Sequence, residues 1–140
     1  MSLGLGKSVL IVDDTSFMRH LVKRALLPLQ FSQVLEASNG EELLSAYVSE
    51  KPDLVFSDII MDKLDGVSAV KELLKRFPEA RVVIVSAINV PDVVQDCIDH
   101  GIIDFIVKPF QPQTLVNVAI MALASKTQFS DEARTRRTNQ

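Results

Sequence analysis

The chain has 140 residues, 47% apolar and 24% charged, so a single domain can bury a sizeable core. A net charge of −3 argues against sequence-independent nucleic-acid binding, which needs a basic surface. The single cysteine, Cys97, excludes an intramolecular disulfide and no Cys/His spacing suggests zinc; with no signal-peptide core at Met1–Lys7 and no bilayer-length apolar run, a soluble cytoplasmic protein is expected.

The first apolar run is Ser8-Val9-Leu10-Ile11-Val12. A helical stripe follows at Phe17, Met18, Leu21, Val22, Ala25 and Leu26, stopped by Pro28. Gln33-Val34-Leu35-Glu36-Ala37 alternates and ends polar, the pattern of an edge strand. Ser38-Asn39-Gly40-Glu41 reads as a capping box opening a second helix through Leu43, Leu44 and Tyr47. The third run is Leu54-Val55-Phe56, after which Asp65 can cap a helix carrying Val67, Val70, Leu73 and Leu74. Val82-Val83-Ile84-Val85 precedes a helix starting near Pro91 and stopped by Gly101. Phe105-Ile106-Val107 precedes a helix from Pro112 to about Ala124.

Runs one, three, four and five are β-branched or aromatic without alternation, as in strands buried on both faces. Five βα units follow, an α/β (βα)5 fold with a doubly wound parallel sheet. The domain is expected over residues 1–125, with 126–140 a polar tail or the start of a linker.

In an open α/β sheet, ligands bind beyond the carboxyl ends of the strands. Asp13-Asp14 follow strand one, Asp58 follows strand three, Ser86 strand four and Lys108-Pro109 strand five. Singly, each is an ordinary cap, turn or surface residue; jointly they form a site. Three carboxylates without a counter-charge are costly to ionise, and oxygen-only ligands suit magnesium. Magnesium with a lysine neutralises a transferring phosphoryl group, and a carboxylate can itself be the nucleophile. A hydroxyl such as that of Ser86 can bond a phosphoryl oxygen present only in the modified state.

The set Val12-Asp13-Asp14, Asp58 with Met61 and Asp65-Gly66, Ser86-Ala87, and Phe105-Ile106-Val107-Lys108-Pro109-Phe110 resembles the response-regulator receiver family over about Ser8 to Ala124. The stretch Val12-Asp13-Asp14-Thr15-Ser16-Phe17-Met18-Arg19 looks like its chemotaxis-type members. The resemblance implies a flavodoxin-like strand order 2-1-3-4-5. It implies that Asp58 accepts phosphate from a histidine kinase's phosphohistidine. Magnesium would be bound by Asp14, Asp58 and the backbone carbonyl of Ile60, with Asp13 holding a metal-bound water. Lys108 would pair with the phosphoryl group, and Ser86 and Phe105 would form a coupled switch. The altered surface would be helix four, strand five and helix five, contacting a partner, an output domain or a second copy. No catalysis beyond the domain's own phosphotransfer and dephosphorylation is implied.

This sequence departs from the family pattern at Asp62, where proline is usual, at Ile60 and Ile88, where polar groups often guide water, and at Ile102. Phe105 lacks a phenol hydroxyl, which should ease its inward position. Helix five is apolar over a wide arc including Val116, Ile120, Met121 and Leu123, giving either a well-covered core helix or an interaction face. A haloacid-dehalogenase-type phosphatase is a poorer fit because its paired aspartates are two residues apart after strand one. A flavin-binding module would need a phosphate cradle where this chain has an acidic pair.

Overall fold

The computed structural model describes residues 3–61, 65–87 and 90–125. Five strands, β1 (Ser8–Val12), β2 (Gln33–Ala37), β3 (Leu54–Ser57), β4 (Val82–Ser86) and β5 (Asp104–Val107), alternate with α1 (Ser16–Leu26), α2 (Gly40–Glu50), α3 (Gly66–Arg76), α4 (Pro91–His100) and α5 (Pro112–Ala124). All pairs are parallel, in the order β2-β1-β3-β4-β5, as a doubly wound α/β sheet requires. The expected polar tail, 126–140, lies outside the described residues.

Side-chain alternation along the buried strands divides the core in two. Leu10, Val55, Ile84 and Phe105 pack with α2, α3 and α4 residues such as Leu43, Leu73, Val94 and Cys97. Val9, Ile11, Phe56, Val85 and Ile106 pack with Val22 and Leu26 of α1 and Leu115 and Val118 of α5. Ile102 is fully buried in the first cluster, so its bulk serves packing. Strand β2, with only Ala37 buried, is the expected edge.

The helix ends follow local chemistry, with two departures from expectation, at Phe17 and at the α2 cap. Thr15 caps α1, accepting from the Met18 N–H at 3.2 Å, so neither preceding aspartate is the cap. Phe17 was expected on the apolar stripe of α1 but is 68% exposed, and the stripe reaches the core only through Val22, Ala25 and Leu26. The cap of α2 is shifted by one residue: Asn39 accepts from Glu42 N–H, and Glu42 reaches back to the Ser38 N–H at 2.8 Å. Asp65 caps α3 as expected, and Gly101 closes α4 in the left-handed region at φ 105°.

The outer arc of α5 is half-buried, and none of its residues is among the exposed large apolar side chains. At the chain start, Gly4 N–H donates to Leu29 O at 2.7 Å, and a Cβ there would meet that oxygen at 2.6 Å. No described helix is long and apolar enough to cross a membrane.

Candidate functional site

Strands β1 and β3 are adjacent, with Val12 in register with Ser57, so the residues that follow, Asp13 and Asp58, leave the sheet side by side. Both are buried, at 4% and 7% exposure. From the far edge of the sheet, Lys108 places its ammonium between them, donating to Asp13 Oδ2 at 2.8 Å and Asp58 Oδ2 at 2.9 Å. The Lys108 N–H also donates to the Ser86 carbonyl at 2.9 Å, which ties the β5 exit to the β4 exit.

Asp58 is held from its other side. Its Oδ1 accepts from the N–H groups of Ile59 at 2.6 Å and Ile60 at 3.1 Å. The carboxylate is therefore oriented by two backbone donors and a cation before any substrate arrives. Burial alone would favour the neutral amine of Lys108, but its hydrogen bonds to Asp13 and Asp58 outweigh that and hold the ammonium above the usual lysine range. Met61 is buried, and Ile60 presents a side chain 49% exposed.

The third acid differs from the expectation of a convergent trio. Asp14 lies exposed at the rim, and among the described residues no three acidic, histidine or cysteine side chains gather closely enough to hold a metal by themselves. The site is thus a buried pair bridged by lysine with an acid beside it. The donors are still hard oxygens, the ligand type that suits a divalent cation such as magnesium.

Ser86 is fully buried and Phe105 is 7% exposed, its ring in the cluster containing Val94 and Cys97 of α4. Asp62 and Ile88 lie outside the described residues.

Two contributors carried no role in the sequence reading. Thr15 donates its N–H and its hydroxyl to Asp13 Oδ1, at 3.0 and 3.2 Å. Arg19 donates from Nη1 to the Asp13 carbonyl at 2.6 Å and from Nε to Glu36 Oε1 at 2.8 Å. An aspartate followed by a threonine two residues on is a legible turn signal, but an arginine reaching back to a carbonyl has no sequence signature.

Residues 9–120 match the family described as response regulator receiver domain. The chain belongs to that family. Chemotaxis protein CheY of Thermotoga maritima is 42% identical over 112 residues, which cover 80% of this chain and 93% of that protein. Chemotaxis protein CheY of Bacillus subtilis is 44% identical over 103 residues, covering 74% and 86%. Among solved structures, this receiver domain is similar to the CheX–CheY–BeF3–Mg complex of Borrelia burgdorferi, with a TM-score of 0.79 and 30% identity, covering 86% of this chain and 90% of that one. The fold and the two-component signalling family expected from the sequence are thereby both shown.

Proposed function

We propose that this receiver domain takes a phosphoryl group from the phosphohistidine of a sensor kinase or phosphotransfer protein onto Asp58. In that step an Asp58 oxygen forms the new O–P bond as the donor's P–N bond breaks, and the imidazole nitrogen keeps the bonding pair. The observation that carries the reading is the Lys108 ammonium shared between two buried carboxylates. Lys108 lies where charge must be neutralised during transfer, and the two backbone donors on Oδ1 fix the direction of Asp58.

Asp13, Asp14, Asp58 and the Ile60 carbonyl are the proposed holders of Mg2+; the magnesium and beryllofluoride named for the Borrelia complex support this. Magnesium supplies positive charge against the phosphoryl oxygens, and it keeps several waters, so one or two direct carboxylates suffice. Ser86 and Phe105 are the proposed switch pair. The Phe105 ring is packed in the cluster containing Val94 and Cys97 of α4, and it has no hydroxyl to satisfy there, which supports an inward state for the proposed switch. The face of α4, β5 and α5 is the proposed contact for a partner, an output domain or a second copy. No activity beyond self-phosphorylation and autodephosphorylation is assigned.

The test is incubation with a small acyl-phosphate donor and Mg2+. One phosphoryl group per chain is expected, lost in Asp58→Asn and on chelation. Steady turnover of the donor far faster than decay of the labelled protein would overturn the reading in favour of a phosphatase.

A further inference from the structure

Every polar group of Asp13 is engaged. Its N–H donates to Ala37 O at 3.1 Å, Oδ1 accepts from Thr15, Oδ2 accepts from Lys108, and its carbonyl accepts from Arg19. The last contact differs in kind, because that carbonyl belongs to the peptide linking Asp13 to Asp14. A peptide plane is rigid, so a donor fixing its oxygen also fixes the N–H and the Cα that follow. Asp14, exposed at the rim, has its backbone direction set through that plane.

Arg19 is itself held. Its Nε is paired with Glu36 on β2, and the other oxygen of Glu36 accepts from Lys23 at 2.9 Å, one turn along α1. The guanidinium fork thus spans α1, the edge strand and the β1 exit, a two-point contact that a single ammonium cannot reproduce. The arginine side chain is 18% exposed, more buried than its partner Glu36 at 37%.

We infer that Arg19 is a positioning residue that, oriented by Glu36, pins the peptide between Asp13 and Asp14 and so aims Asp14 at the metal side of the site. This rests on the reading of Asp13 and Asp14 as magnesium-holding acids. It acts on geometry before any metal binds, as partners of ligands do in metal sites generally.

The test compares Arg19→Ala, Arg19→Lys and Glu36→Gln with the unmodified protein by amide NMR, first without metal and then in a Mg2+ titration. In metal-free Arg19→Ala, the Asp14 and Thr15 amide signals should shift and broaden, and Mg2+ affinity should fall by about tenfold. Arg19→Lys should stay close to the alanine variant, whereas Glu36→Gln, which keeps an acceptor for Nε, should stay close to the unmodified protein. Unaltered Asp14 and Thr15 signals in metal-free Arg19→Ala would overturn the inference, even if its melting temperature falls. Altered amide signals with no Mg2+ binding by the unmodified protein would leave the positioning role standing and remove the metal reading.

Discussion

Lys108 Nζ lies 2.9 Å from Asp58 Oδ2 and, at the same time, 2.8 Å from Asp13 Oδ2. One ammonium therefore bridges two buried acids that leave neighbouring strands. The folded-state pKa of Lys108 is raised, so its contribution is complete below its unfolded value of 10.5 and is lost only as pH rises above that through the folded value. Replacing it with an uncharged side chain of similar length leaves the two acids facing each other without their cation. In Lys108→Met, urea unfolding at pH 7 should show a loss of about 1–3 kcal/mol. An unchanged unfolding midpoint would contradict this account.

Gly66 opens α3 directly beneath the acceptor loop. A Cβ there would lie 2.4 Å from Ile59 Cα and 2.6 Å from the Asp58 carbonyl oxygen, both backbone atoms that cannot swing aside. Gly66→Ala should therefore push the helix start and the loop apart, costing about 1–3 kcal/mol. Because the loop carries the donors to Asp58 Oδ1, acyl-phosphate labelling should slow as well. Calorimetry and labelling rate check the two effects separately.

Cys97, on the inner face of α4, is fully buried, and burial pushes its thiol up to about 11. The unfolded thiol ionises near 9.0, so stability from this group is complete below that pH and falls between there and about 11. A thiol reagent at pH 8 should leave the folded protein untouched and react promptly once urea is added. Rapid labelling without urea would show that α4 opens far more readily than its packing suggests.

Ile60 sets an apolar side chain, 49% exposed, two residues beyond the acceptor, while its own N–H holds Asp58 at 3.1 Å. On the proposed reading, an aliphatic group there would obstruct a water approaching the phosphoryl group and offer it no hydrogen bond. Ile60→Asn keeps the backbone donor and should shorten the lifetime of the phosphorylated protein several-fold, followed by phosphate release after the donor is removed. An unchanged lifetime would assign the control of hydrolysis elsewhere.

The alternation of apolar runs made the fold readable, because strands buried on both faces carry an unbroken β-branched signature while their helices show a longer period. The candidate site was readable for the same reason: such a sheet places its chemistry at the carboxyl ends of its strands, where Asp13, Asp58 and Lys108 each follow a strand and Ser86, expected just after β4, is instead its last residue. What escaped was set by neighbours remote in sequence. Periodicity assigns Phe17 to the α1 stripe, yet no neighbouring element among the described residues covers it. Asn39 and Glu42 against Ser38 and Glu41 is a one-residue shift that either pair could satisfy locally. Asp104 begins β5 at 1% exposure, an acid inside a strand that hydropathy reads as the residue before it. Asp14 at the rim and Arg19 on the carbonyl both depend on the path of one peptide, which no residue type encodes.

The division of the core by the sheet also bears on how the molecule can move. Phe105, Cys97 and Val94 share one layer, while α1 and α5 grip the opposite face through Val22, Leu26, Leu115 and Val118. Each layer is packed against its own side of a hydrogen-bonded partition, so the proposed switch at Phe105 would act within the α4 layer and leave the packing of α1 and α5 in place. A receiver built this way has a working floor and a foundation, and Asp58 stands at the edge where both can be felt.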